Sequence, residues 1–147
     1  MKAALDDDVH SVVPRILLFG EDDRIESVVE IDFDRDMAYV RQRGLDGEAA
    51  RFVETNGPVT YAIGGAMLLR KGPFVASGGF DRLFDPFYYE DVDLGWRSWV
   101  MGHEVRYVPS AVGYHHHSST SGRVPVARPR GLQLRTPQPA CLPASAA

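Results

Sequence analysis

At 147 residues the chain has the length of one domain with one core, and 44% hydrophobic with 24% charged residues is the balance of a globular protein rather than a disordered one. A single cysteine, Cys141, excludes an internal disulfide framework and a multi-cysteine zinc site, and no apolar run nears the roughly 20 residues of a membrane-spanning helix. The net charge of −4 hides an asymmetry: residues 1–120 hold all 20 acids against 12 basic residues, a balance that argues against a partner held through nucleic-acid phosphates.

The opening MKAALDDDVH has no apolar core of a secretory signal, so a cytoplasmic location is expected. VVPRILLF (12–19) is β-branched and apolar and reads as a buried strand with Pro14 near its start; GEDD (20–23) reads as a turn. RIESVVEIDFDRD (24–36) reads as irregular or short strand, and RGLDGEAARF (43–52) as a loop. VTYAIGGAMLLRK (59–71) is a second strand candidate with paired glycines inside it, and residues 72–87 have the Gly and Pro density of turns with one helical turn among them. From Asp91 to Met101, Val92, Trp96, Trp99 and Val100 recur at helical spacing, which predicts a helix with one apolar stripe, stopped by Gly102. EVRYVP (104–109) alternates as a strand, and AVGYH (111–115) continues extended. The mix of strands and helices predicts an α/β or α+β class. Residues 121–147 carry five of the ten prolines, four arginines and no acid; they read as a disordered or loosely attached tail, or as a frameshifted end.

FYYEDVDLGWR (87–97) concentrates Glu90, Asp91 and Asp93 between aromatic residues. One reading is structural: acids at a helix start meet unpaired N–H groups and the macrodipole, and Asp93 can pair with Arg97 one turn on. The other is catalytic: a carboxylate projecting from a rigid helix start into an aromatic-walled cleft is partly desolvated, which raises its pKa toward that of a useful general base. Downstream, GYHHHSSTS (113–121) places three histidines in a row. On an extended segment His115 and His117 share a face and His116 points away, so at most two could meet one metal locally; a polar surface loop is the alternative. The GG pairs of AIGGAML and ASGGFD permit close backbone approach to a substrate, or form a bulge and a tight turn.

Taken in order, YAIGGAMLLRK, FVASGGFDRLF, FYYEDVDLGWR, GHEVRYVPSAV and YHHHSS resemble the C-terminal half of family 2 glycosyltransferases, the rhamnosyltransferase-like enzymes of bacterial cell-wall and polysaccharide assembly; with VVPRILLFGEDDRIES the likeness runs over about 12–120. The resemblance implies a GT-A, Rossmann-like α/β fold. It also implies inverting transfer of a sugar from a nucleotide-diphosphate donor to an acceptor hydroxyl on a glycan or a lipid-linked carrier, in the cytoplasm or at the inner face of the membrane. It maps the general base onto Asp91, acceptor orientation onto Glu90, and a divalent-metal ligand (Mg²⁺ or Mn²⁺) onto His115, with His116 or His117 one or two positions away. Gly64 and Gly65 would let a central strand run under the donor sugar. Trp96 is an acceptor platform or a core residue, and Arg97 reaches substrate or pairs with Asp93.

The family's first half, with its nucleotide-binding strands and DxD motif, has no counterpart. Asp6, Asp7 and Asp8 do not replace it, since only MKAAL, which reads as the last turn of a helix, precedes them. The expectation is therefore a partial GT-A fold in residues 1–120 that lacks the nucleotide-binding half, has little activity alone, and is prone to self-association or to pairing with the missing half through exposed apolar strands. A non-enzymatic metal-binding or interaction module, or an inactive remnant, is the competing expectation.

Overall fold

The computed structural model describes residues 6–19, 21–27, 29–34, 37–42, 53–86 and 88–116. The expected helix end in MKAAL, the 43–52 loop, His117 and the 121–147 tail lie outside them.

The sheet is built around two long parallel neighbours, β1 (Val9–Leu18) and β7 (Glu104–His115), whose register runs from Val9 opposite Glu104 to Leu18 opposite His115. The outer edge of β1 is shared by two short antiparallel partners. Leu68–Leu69, strand β6, pairs at Ser11 and Val12, and Glu21–Ile25, strand β2, pairs at Leu17 and Leu18. Gly57–Pro58, strand β5, closes the far edge of β7, giving the order β2-β1-β7-β5. Val29–Asp34 and Met37–Gln42, strands β3 and β4, form a separate antiparallel hairpin. Between β6 and β7 come a short helix α1 (Lys71–Ala76), a 3-10 turn at Arg82–Phe84, and the longer helix α2 (Glu90–Val100). The architecture is mixed α/β with a small mixed sheet, consistent with part of a Rossmann-like fold.

The core follows from the β-branched run of β1. Val13 and Ile16 pack with Val105 and Tyr107 of β7 and with Val53 and Ala62. The buried Tyr107 hydroxyl donates to the Val53 carbonyl at 3.0 Å, so its polar atom is satisfied inside the core. Pro14 lies in the middle of β1, not near its start, because the strand begins at Val9. Proline has no N–H to give the ladder, and the register slips at that point: Pro14 faces Val108 while Arg15 already faces Val112.

Three expectations need correction. Glu21, Asp22 and Asp23 are strand, not turn: the chain reverses before Glu21 and returns along β1. The short strand expected within residues 24–36 is β3, and residues 37–42 supply its partner. Residues 59–71 are not a strand. Gly64–Ala66 is a 3-10 turn, closed by the Ala66 N–H donating to Ile63 at 3.1 Å, and only Leu68–Leu69 joins the sheet. Gly64 and Gly65 therefore form a turn rather than a central strand passing under a sugar. The predicted helix is present, and Gly102 ends it at φ +81°, but its buried face is different. Val92, Asp93, Leu94, Gly95 and Ser98 face inward, while Trp99 and Val100 are exposed.

Gly95 explains that rotation. A Cβ there would fall 2.3 Å from the Cβ of Tyr61, 2.8 Å from its Cα and 2.9 Å from the Thr60 carbonyl oxygen, so only a glycine lets α2 lie directly on residues 60–61. Trp99 is then left at the rim, where its Nε1–H donates to the Thr60 carbonyl at 3.0 Å. The apolar strand VVPRILLF is mostly covered, although its last residue, Phe19, is exposed, as is Leu68 of the other apolar segment expected to lose neighbours. Val13, Ile16 and Leu18 are buried, whereas Val112 and Tyr114 are exposed. Among the described residues no helix is long and apolar enough to cross a membrane.

Gly95→Ala tests this packing by its sign. In an exposed helix the change stabilises by about 1 kcal/mol; here the clash with backbone should destabilise by about 1–3 kcal/mol, read as a lowered urea midpoint.

Candidate functional site

Helix α2 starts abruptly. Tyr89, the residue before it, holds φ 78°, a left-handed conformation that is costly for a residue with a Cβ. The three carboxylates that follow have three different environments. Asp93 turns inward to Arg97, whose Nε and Nη2 approach its Oδ2 at 2.8 and 2.6 Å, a pair largely withdrawn from water. Arg97 also donates from Nη1 to the Ser77 carbonyl at 2.5 Å and from Nη2 to the Gly79 carbonyl at 2.8 Å. Those carbonyls are presented by the turn after α1, where Gly78 and Gly79 both adopt positive φ. Arg97 thus ties α2 to the second GG pair, and the donors expected for a substrate are engaged in that tie.

Asp91 is half-buried. Its Oδ1 accepts from the Val92 N–H at 2.8 Å and its Oδ2 accepts from the Gly64 N–H at 2.9 Å. Burial raises its pKa above the ordinary carboxylate range, against the lowering effect of those N–H donors. Glu90 is raised as well, first by burial and further by the charge on Asp91, and its Oε2 is buried with no partner among the described residues.

His115 ends β7. Its Nδ1 lies 2.5 Å from Oε2 of Glu26, a carboxylate only 5% exposed at the end of β2. The first GG pair lies between the acid and the imidazole. A Cβ on Gly64 would stand 3.5 Å from Asp91 Oδ2, and one on Gly65 would stand 3.9 Å from His115 Nε2. The fold thus gathers Asp91, Gly64, Gly65 and His115 in one place. Trp96 is half-buried on α2. His116 turns away and stacks on Phe19 with ring centroids 6.1 Å apart.

Two residues of the site escaped the sequence reading. Tyr61 is buried, and its phenol is pushed well up by burial and by the nearby charges of Asp91, Tyr89 and Glu26. Its place under Gly95 depends on the helix packing, which no local pattern shows. Glu26 sits in a stretch without clear periodicity and reaches His115 only through strand pairing.

A divalent cation needs several converging donors. Among the described residues no three His, Cys, Asp or Glu side chains come together for one. An imidazole braced at Nδ1 by a carboxylate is the usual setting of a single histidine ligand, but these residues alone do not fit a complete metal centre.

No protein-family model matches the chain. Two curated proteins do match: the N-acetylglucosaminyl-diphospho-decaprenol L-rhamnosyltransferases of Mycobacterium tuberculosis strains CDC 1551 / Oshkosh and ATCC 25618 / H37Rv. Each is 43% identical over 68 residues, which is 46% of this chain and 22% of the relative's length. The similarity supports a glycosyltransferase-like relationship.

Two measurements probe the helix start. A raised carboxylate pKa means the folded chain holds that proton more tightly than the unfolded chain, so the stability it brings is present at low pH and lost as pH rises through the folded value. The native chain should therefore lose stability as pH rises from about 4 through the raised folded value of Asp91, and Asp91→Asn, which cannot ionise there, should lack that part of the loss when urea midpoints are compared across pH. Arg97→Lys should lose about 1–3 kcal/mol of stability in urea unfolding, because one ammonium cannot span Asp93 and two carbonyls.

Proposed function

We propose that the chain carries the acceptor side of an inverting glycosyltransferase site of the GT-A, family 2 kind, with Asp91 as the general base. The observation that carries this reading is the environment of Asp91: half-buried, oriented by the Gly64 N–H, and raised in pKa by desolvation. In the proposed reaction the acceptor hydroxyl gives its proton to the Asp91 carboxylate as its oxygen bonds to the anomeric carbon. The bond from that carbon to the diphosphate oxygen breaks on the opposite face, so configuration inverts. Holding the acceptor oxygen within about 3 Å of the carboxylate is the main task of the site. Glu90, whose Oε2 has no partner among the described residues, orients the acceptor through a second hydroxyl. The bare backbone of Gly64 and Gly65 admits the sugar close to Asp91. Trp96 borders the acceptor, and Arg97 holds the helix that carries the acids.

The donor is a nucleotide-diphosphate sugar. By analogy with the relatives' name, the transferred group is a deoxyhexosyl or hexosyl unit, and the acceptor is a sugar on a lipid-linked diphosphate in cell-wall or polysaccharide assembly. That chemistry places the protein at the inner face of the membrane. A Mg²⁺ or Mn²⁺ ion with His115 as one ligand belongs to the proposal only with further ligands from outside the described residues, and no step above depends on it. Pairing with a donor-binding half is part of the same reading.

A chimera tests it. Residues 53–116 replace the corresponding segment of a mycobacterial rhamnosyltransferase, and transfer of labelled rhamnose to the lipid-linked acceptor is measured. Transfer should persist, and Asp91→Asn in the chimera should lower its rate by about 10²–10⁴-fold. A folded chimera without transfer, or one indifferent to Asp91→Asn, would overturn the assignment.

A further inference from the structure

We infer that Glu26 is a positioning residue that sets the tautomer and aim of His115; the use of that imidazole in the reaction rests on the glycosyltransferase reading, whereas the positioning itself does not. Three observations on different strands converge on it. The Glu26 carboxylate is buried and meets Nδ1 of His115 at 2.5 Å. The Glu26 backbone is clamped to β1: its N–H donates to the Ile16 carbonyl at 2.9 Å, and the Ile16 N–H donates to the hydroxyl of the neighbouring, fully buried Ser27 at 2.5 Å. His115 is clamped to the same strand from the other side, in register with Leu18 and with its carbonyl accepting from the Phe19 N–H at 2.9 Å. Neither partner can drift without breaking ladder bonds.

The chemistry follows from the acceptor-only nature of a carboxylate. An ionised Glu26 can engage Nδ1 only if that nitrogen bears a proton. In the neutral ring Nε2 then carries the lone pair, and Nε2 is the nitrogen on the Gly65 side, next to the turn that holds Asp91. The ring is aimed and its acceptor nitrogen chosen by a residue about ninety positions away in sequence. A histidine in water prefers the opposite arrangement, with the proton on Nε2, so the bound tautomer is diagnostic.

The experiment uses the whole 147-residue chain with ¹⁵N-labelled histidine at alkaline pH, where imidazoles are neutral. The His115 resonances are assigned by their loss in His115→Gln. The native chain should show His115 protonated at Nδ1. Glu26→Ala should shift it mainly to the Nε2-protonated form, while Ser27→Ala, which removes a clamp and keeps the carboxylate, should leave the Nδ1 form dominant. A native His115 protonated at Nε2, or a tautomer unmoved in a folded Glu26→Ala, would overturn the inference. If Glu26→Ala does not fold, the native and Ser27→Ala spectra decide it. Inorganic pyrophosphate is then titrated into the native chain as a stand-in for the leaving group. Perturbed His115 signals extend the positioning role to the reaction. Unmoved signals beside an Nδ1-protonated His115 overturn the donor-side use of the imidazole and leave the positioning role standing.

Discussion

The parallel ladder between β1 and β7 is the constraint on which the site depends. β1 touches the elements that bring the imidazole, its carboxylate partner and the glycine turn to it. Its inner edge carries β7, and with it His115. Its outer edge carries β2, which runs into Glu26, and β6, which follows closely on the Gly64–Ala66 turn. One buried strand therefore sets the relative positions of a carboxylate, an imidazole and a glycine turn that are scattered along the chain. The irregularity opposite Pro14 belongs to the same logic. A residue without an N–H interrupts the ladder midway, and β7 absorbs extra residues there before pairing resumes at Arg15 and continues to His115.

The acids reach the site by a second route, through helix packing rather than strand pairing. α2 is brought down on residues 60–61 by the missing side chain of Gly95 and held there by Arg97, which spans Asp93 and two carbonyls of the glycine turn after α1. Close approach at Gly95 sets the depth and rotation of the helix, and the arginine tie holds it there. The Gly64 N–H then meets Asp91 because both are fixed independently. Buried ion pairs are weak sources of stability but good sources of register, and the Asp93–Arg97 pair fits that role.

Much of this was legible in the residues, and the failures have a common cause. The apolar strand β1, the strand β7 and the helix with its glycine stop follow local patterns, and the structure has all three. The paired glycines form turns, one of the two readings the sequence offered for them. Yet Gly64–Gly65 reads as strand interior when the flanking residues are apolar, and nothing local says that its N–H bonds a side chain 27 positions on instead of a neighbouring strand. The apolar stripe through Trp96, Trp99 and Val100 is the best face by hydrophobicity, but backbone contact at Gly95 overrides it and turns Asp93 and Ser98 inward with Val92 and Leu94. Glu26 was invisible for the same reason: its meaning lies in strand register, which is a property of the fold and not of the segment.

The helix start also separates the structural and catalytic readings of the three carboxylates. An acid placed at a helix N-terminus for stability gains from the dipole and from free N–H groups, and both effects lower its pKa. Asp93 has an ion-pair partner, as a structural acid should. Glu90 and Asp91 depart from that pattern: each sits where desolvation outweighs its hydrogen bonds and raises the pKa. At neutral pH the fold is held against the preference of those two groups, beside a turn stripped of side chains. Such an arrangement is hard to explain by stability. It fits the role proposed for Asp91, rather than Asp93, as the group that takes a proton from a weakly acidic hydroxyl.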